Sequence, residues 1–199
     1  MTTRPLQDAP ELEVTSSDKL RAWLAAHHGR AAGVWLVTWK KARPEFHVST
    51  AEIVRECLAV GWVDSLPRSK DADRTMLYIS PRKPGSNWSR VNKEHVARLE
   101  AEGRMTGAGR AVVARAQADG SWSALDGVEA LQLPPDLAAA FDATPGTEEA
   151  WHRWPRSVKR GALEILLNAR RPATREAKIA EILRCAQTGE RPFQWRGRS

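Results

Sequence analysis

The sequence predicts an α+β fold: a small antiparallel sheet of about three strands packed with helices, followed by a C-terminal helical region. Three observations carry this. Strand-like apolar stretches are confined to residues 34–40, 63–70 and 74–80. Helical periodicity flanks them and takes over almost entirely from residue 89. The strands do not alternate regularly with helices, as a doubly wound α/β sheet would require. The chain of 199 residues is 42% hydrophobic, enough to bury a core.

Residues 1–14, with three acids and two prolines and no clear period, read as a flexible tail. Ser17 reads as the cap of a helix from Asp18 to His28, with Leu20, Trp23, Leu24 and His27 on one face. Val34 to Lys40 reads as a central strand, because Trp35, Val37 and Trp39 face one way while Val34 and Leu36 face the other. Ser49 and Glu52 have the spacing of a capping box, and the helix they open turns Ile53, Cys57 and Leu58 inward. This placement makes Cys57 a core thiol. Two further strands, Val63 to Lys70 and Arg74 to Ser80, form a hairpin across a polar link at Asp71 and Asp73.

Beyond residue 89 the punctuation is helical. Ser89 or Asn92 caps one helix that Gly103 ends, and Thr106 caps the next, which Gly120 stops. Pro134 and Pro135 open a short helix through Phe141, and Thr144-Pro145 opens another that carries Trp151 and Trp154. A helical hairpin follows, with Pro172 at its turn and Thr174 as a cap. One arm turns Val158, Ala162, Ile165, Leu166 and Ala169 inward; the other turns in Ile179, Ile182, Leu183 and Ala186. The organisation expected is a tail at 1–14, an α+β domain at 15–130, a helical region with a basic hairpin at 131–190, and a basic tail at 191–199 that contains Trp195.

Charge is uneven. Net charge is +7, yet residues 151–199 hold 12 Lys/Arg against 4 Asp/Glu, while the remainder holds 19 against 20. Such asymmetry points to an anionic partner, nucleic acid first, with Arg156, Lys159, Arg160, Arg171, Arg175 and Lys178 as phosphate contacts. The competing reading is a solvated helical surface. Two cysteines imply neither a disulfide framework nor a zinc site, and the histidines lack ligand spacing, so neither metal nor cofactor is expected. No apolar run approaches the roughly 20 residues of a membrane span, and residues 1–10 lack the apolar stretch of a secretory signal. The expectation is a cytoplasmic protein without membrane insertion.

The stretch richest in chemistry is Arg82-Lys83-Pro84-Gly85-Ser86-Asn87-Trp88-Ser89. Proline and glycine shape the turn, two cations flank it, and a helix N-terminus with free N–H groups follows. Together they suggest an anion site, with Trp88 available for stacking. The spacing is not that of a nucleotide-binding glycine loop. The alternative is structural: Trp88 as core anchor, Ser89 as cap, and solvated cations. Asp64, at a strand start beside Trp62, could act as acid/base, although such an Asp more commonly pairs with an Arg. His95, on the following helix, is a second acid/base candidate.

Three stretches carry a family resemblance: Gly61-Trp62-Val63-Asp64-Ser65, Pro81 through Asn92, and Glu102-Gly103-Arg104-Met105-Thr106. With Ser157-Val158-Lys159-Arg160 and Ala169 through Arg175, they resemble the YdeI/OmpD-associated, or bacteriocin-protection, family over roughly residues 18–190. The resemblance implies a link to stress or antimicrobial resistance and supplies no reaction and no catalytic residue.

The expected function is therefore non-enzymatic binding of an anionic or aromatic ligand. Trp62, Tyr78 and Trp88 would wall the site, Arg82, Lys83 and the helix N-terminus would hold negative charge, Asp64 and Asn92 would orient it, and Ser86 and Asn87 belong to the same ligand-binding set. The alternatives are nucleic-acid binding through the basic C-terminal helices, an enzyme using Asp64, and a module that sequesters a protein partner.

Overall fold

A computed structural model describes residues 8–193. The expectations for residues 1–7 and 194–199, including the tail around Trp195, lie outside the described residues. The chain divides into two compact units after Trp122; the sequence placed that division at residue 130.

The first unit is α+β. Among the described residues its sheet has four strands: β1 (Glu11–Glu13), β2 (Val34–Trp39), β3 (Trp62–Ser69) and β4 (Arg74–Pro81), in the order β1-β2-β4-β3. β2 is central, as its two apolar faces require, and pairs antiparallel with β4, placing Trp35 opposite Tyr78 and Val37 opposite Met76. β3 and β4 form the expected hairpin, interrupted by a bulge between Asp64 and Pro67 where proline cannot donate to the ladder.

β1 is a correction to the flexible tail read over 1–14. Glu11 to Glu13 pairs parallel with β2, so the sheet is mixed instead of purely antiparallel. Leu12 packs on the core, while Glu11 and Glu13 reach Lys70 and Arg74 on the β-hairpin. Three residues with two acids carry no readable strand period. The strand exists because partners some 60 positions away satisfy it.

Four helices complete this unit: α1 (Ser17–His27), α2 (Thr50–Ala59), α3 (Arg90–Ala101) and α4 (Gly107–Ala118). Ser16, not Ser17, caps α1 by accepting from the Lys19 amide. The capping box of Ser49 and Glu52 is complete, and its hydrogen bonds from Ser49 hold the Glu52 carboxyl below the usual carboxylate range. Ser89 is the cap of α3 and Thr106 that of α4. One face of the sheet packs on α1 and α2 through Leu20, Leu24, Val34, Leu36, Ile53, Cys57, Trp62 and Ile79. A second cluster joins Leu58, Ala59, Trp88, Val96, Leu99 and Met105. Burial pushes the Cys57 thiol well above its ordinary value, consistent with a packed, inert cysteine.

Two contacts lock α2, α3 and α4 together. Thr106 donates its hydroxyl and its amide to the Ala59 carbonyl, and a Cβ on Gly109 would lie 2.4 Å from that same oxygen. Glycine at 109 therefore permits the close approach of α4 to the end of α2. Glu56, 2% exposed, receives Arg21 from α1 and Arg104 from the α3–α4 connection. A carboxylate so buried is tolerated because two guanidiniums and their hydrogen bonds compensate it.

The second unit is helical: α5 (Asp126–Glu129), α6 (Pro135–Asp142), α7 (Thr147–Arg153), α8 (Arg156–Asn168) and α9 (Pro172–Thr188). Its core joins Leu137, Phe141, Trp151, Trp154, Leu163, Leu166 and Ile182, each leucine contributing about 2 kcal/mol by burial. α7 starts two residues later than Thr144-Pro145 suggested, with Gly146 at its cap in the left-handed region. Thr144 instead offers its carbonyl to the Thr147 hydroxyl. α9 starts at Pro172, the proline occupying the first turn where its missing N–H is harmless, so Thr174 lies inside the helix.

Candidate functional site

The stretch 82–89 forms one corner of the first unit. β4 ends at Pro81, and the Arg82 amide extends the ladder by donating to the Gly61 carbonyl at 3.0 Å. The chain then turns over Lys83 to Ser86. Ser86 donates its amide and its hydroxyl to the Lys83 carbonyl, and Gly85 takes a left-handed φ of 68°. The Gly85 amide is tied to Asp119 Oδ2 at 3.2 Å, so the turn rests against the end of α4. Asp119 also accepts the Ser121 amide, and the hydrogen bonds from Ser121 and Gly85 hold its carboxyl below the usual range. Arg115, one turn back on α4, donates to the Arg82 carbonyl at 3.4 Å.

Arg82 is the unusual residue. It is only 5% exposed, and its guanidinium lies 3.9 Å from the centre of the Trp88 ring. Nη1 donates to the Asn87 carbonyl at 2.9 Å, while Nε and Nη2 have no hydrogen-bond partner. Burial pulls its pKa down to about 10, and the nearby Asp64 charge opposes that shift. The Ser121 hydroxyl, also buried, lacks a partner too. Arg82 and Ser121 line the same shallow recess with Lys83, Gly85, Trp88, Arg115 and Asp119. The side chains pack so tightly there that no body the size of water fits.

The structure therefore rearranges the expected site. Trp88 and Trp62 are each 1% exposed and belong to core clusters; neither walls an open pocket. The Trp62 indole N–H donates to the His28 carbonyl. Tyr78 lies on the opposite face of the sheet from Trp62, because residues 78 and 81 differ in parity along β4 and Pro81 is the partner of Trp62. There Tyr78 meets Trp35 edge to face, beneath the guanidinium of Arg68. Three aromatic walls at one point were an expectation of spacing, and the pleat separates them. Ser86 holds the turn, Asn87 supplies a carbonyl, and Asn92 donates its amide to the Ser89 cap. The α3 N-terminus is thus capped by its own serine, and neither Ser89 nor Asn92 lines the recess. His95 does not line it either, although its Nδ1 is buried without a partner. Asp64 is half-buried on the inner face, close enough for its charge to act on both Arg82 and Cys57.

Sequence reasoning missed Arg115, Asp119 and Ser121. Nothing local marks them, since Asp119-Gly120-Ser121 reads as a helix stop and its contact with residue 85 is long-range.

The basic C-terminal residues are engaged within their own unit. Arg160 binds Glu129 at 2.8 Å and Glu164 at 3.1 Å, Arg175 grips Asp136 with two nitrogens, and Arg156 reaches the Glu129 carbonyl. Arg175 also donates to the Leu166 carbonyl, bracing α6, α8 and α9. Lys159 donates to the His152 carbonyl, and Lys178 sits over the Phe193 ring. Arg171 is exposed at the start of α9, as its cap residue. Arg156, Arg160, Arg175 and Arg184 thus pair with carboxylates of their own unit.

Among the described residues, no helix is long and apolar enough to cross a membrane. Two family models match the chain. One, described as a domain of unknown function (DUF8412), matches residues 12–112. The other, described as bacteriocin-protection, YdeI or OmpD-associated, matches residues 130–189. The Gly61–Ser65 and Pro81–Asn92 stretches fall under the first, and the Ser157–Arg160 and Ala169–Arg175 stretches under the second. No curated protein and no solved structure matches.

Proposed function

Because this chain belongs to the DUF8412 family over its first unit and to the bacteriocin-protection, YdeI or OmpD-associated family over its second, we propose that it is a non-enzymatic resistance protein that binds a small oxyanion at the Arg82 corner. One observation carries the reading: a buried arginine with two donors unpartnered, beside a buried serine hydroxyl in the same condition. Leaving buried donors unsatisfied costs about 1–3 kcal/mol per group, and more for charged groups, and such groups in native proteins call for an explanation. An oxyanion that accepts from Nε, Nη2 and Ser121 Oγ supplies one. Lys83 and Arg115 add positive charge at the rim, and Asp64 and Asp119 limit it. The indoles act as the rigid backing of the guanidinium, in place of the ligand-stacking role expected of them.

Binding here requires the exposed turn at Lys83 and Pro84 to lift from the recess, because the closed corner has no room. The turn is tied to the end of α4 by the Gly85–Asp119 hydrogen bond and at its start by the Arg115–Arg82 carbonyl contact, modest tethers of about 1 kcal/mol each. We place the protein in the cytoplasm and its role in survival of stress or antimicrobial attack.

The test is a titration of the full chain with phosphate, sulfate, acetate and formate at fixed ionic strength. It is followed by NMR of the Arg82 Nε–H and of the Gly85 and Ser121 amides. Saturable shifts confined to these groups are expected for at least one anion. If every anion leaves them unmoved in the folded protein, the corner is scaffold and the reading fails. In cells, a chain carrying Arg82→Met should not restore the tolerance that the wild-type chain confers.

A further inference from the structure

Deepening that reading, and resting on it, we infer that the ligand presents a monoanionic carboxylate, the end group of a small organic acid, to the Nε/Nη2 edge of Arg82.

The chain shows how its own arginines use this edge. Arg21 places Nε and Nη2 on the two oxygens of Glu56 at 3.0 Å each. Arg184 does the same with Glu181 at 2.8 Å each, and Arg175 with Asp136. In all three the side-on edge meets a planar pair of oxygens, the geometry in which a guanidinium and a carboxylate match best. Arg82 presents that same pair of nitrogens without a partner.

One of its faces and one of its nitrogens are occupied. Trp88 covers one face of the guanidinium at 3.9 Å, and the Asn87 carbonyl takes Nη1. An acceptor is thereby restricted to the plane of the guanidinium, along one edge. A carboxylate puts both oxygens in that plane. A tetrahedral phosphate can do so with two oxygens, but its remaining oxygens then leave the plane, one of them toward the packed indole of Trp88.

Charge selects in the same direction. The groups around the recess are Arg82, Lys83 and Arg115 against Asp119, with Asp64 acting on Arg82 from the inner face of the sheet. Three cations against two carboxylates leave one positive charge, which a monoanion neutralises. A dianion would leave a surplus negative charge in a poorly hydrated corner, where it is costly. Ser121 Oγ is left to donate a third hydrogen bond to either carboxylate oxygen.

The experiment compares acetate and formate with inorganic phosphate and sulfate on the full chain at pH 7.5 and constant ionic strength, reading the Arg82 Nε–H, Gly85 and Ser121 signals. Both carboxylates should bind saturably, at least about tenfold more tightly than either tetrahedral anion. Arg82→Lys, which keeps the charge but loses the fork, should weaken acetate by about tenfold or more while leaving the fold intact. Tighter binding of phosphate or sulfate than of acetate would overturn the carboxylate assignment and leave the oxyanion reading standing. No binding of any anion would remove both. Equal acetate shifts in wild type and Arg82→Lys would show a surface effect of salt and likewise overturn the assignment. A folded Ser121→Ala chain that loses a fewfold of acetate affinity adds the third donor to the site.

Discussion

Arg82 in the first unit and Arg175 in the second are both largely shielded arginines presented by a proline-bordered stretch, and they differ in one respect. Arg175 closes its fork on Asp136 and its remaining edge on the Leu166 carbonyl. Arg82 closes one nitrogen on the Asn87 carbonyl and keeps its fork without a partner, though it is the more buried of the two. The second unit, with 12 Lys/Arg against 10 Asp/Glu over residues 123–199, uses paired arginines to hold helices together. The first unit, with 19 against 14 over residues 1–122, holds the arginine whose chemistry is unfinished. Net charge, then, located the positive residues but not the positive site, because charge counts ignore which cations already have carboxylates.

The comparison can be broken or sharpened by substitution. The largest effect is expected at Glu56, where a fully compensated carboxylate holds two arginines of the first unit. Glu56→Ala should destabilise that unit by about 3 kcal/mol in denaturant unfolding, since it leaves two guanidiniums facing a buried site. A loss near zero would mean that partnered arginines here are ornamental, and the contrast with Arg82 would carry no weight.

Next is Asp136→Asn, which takes the fork partner from Arg175. Hydrogen exchange of the α9 amides should report about 0.5–1 kcal/mol of lost protection at neutral pH, because solvent screens the half-exposed carboxylate. The Arg175 guanidinium holds the Asp136 carboxyl below its usual range, so this contribution is fully present above the ordinary carboxylate pKa of about 4. It fades as pH falls through the lowered folded value. Wild type and Asp136→Asn should therefore converge in strong acid; a constant difference across pH would assign the effect to packing.

A pH series also tests Arg82. With burial holding its pKa near 10, acetate affinity should fall about tenfold per pH unit above that value. Lys83 also lines the recess, so the series belongs in a Lys83→Gln chain. Affinity held level up to pH 12 would mean that the guanidinium is not the binding group.

The smallest effect is the most diagnostic. Arg82→Met should change folding stability by less than about 1 kcal/mol, because it removes an uncompensated buried charge along with one hydrogen bond and a ring contact. A loss above about 2 kcal/mol would place Arg82 with Arg175 as scaffold.

Much of the fold was legible. The capping box at Ser49 and Glu52, the alternation around Trp35 and Trp39, and the stops at Gly103 and Gly120 are local signals, and each sits where its pattern says. Helix starts slipped where two candidate caps were adjacent or a proline preceded: Ser16 for Ser17, Arg171 for Thr174. Arg82, Lys83, Gly85 and Trp88, which line the recess, lie within the single stretch that the sequence singles out. Tyr78 was misplaced for want of register, which sets the face a strand residue takes.

By itself, then, the sequence determined the three longer strands, most of the helices and the turn that follows β4, because these depend on neighbours within a few positions along the chain. Only the tertiary structure decided that Glu11 to Glu13 would be a strand, that Arg160 and Arg175 would be paired, and that Asp119 and Ser121 would meet Gly85 and Arg82. Those outcomes depend on which carboxylate or carbonyl comes within about 3 Å of a donor dozens of residues away, a distance that composition and periodicity do not encode.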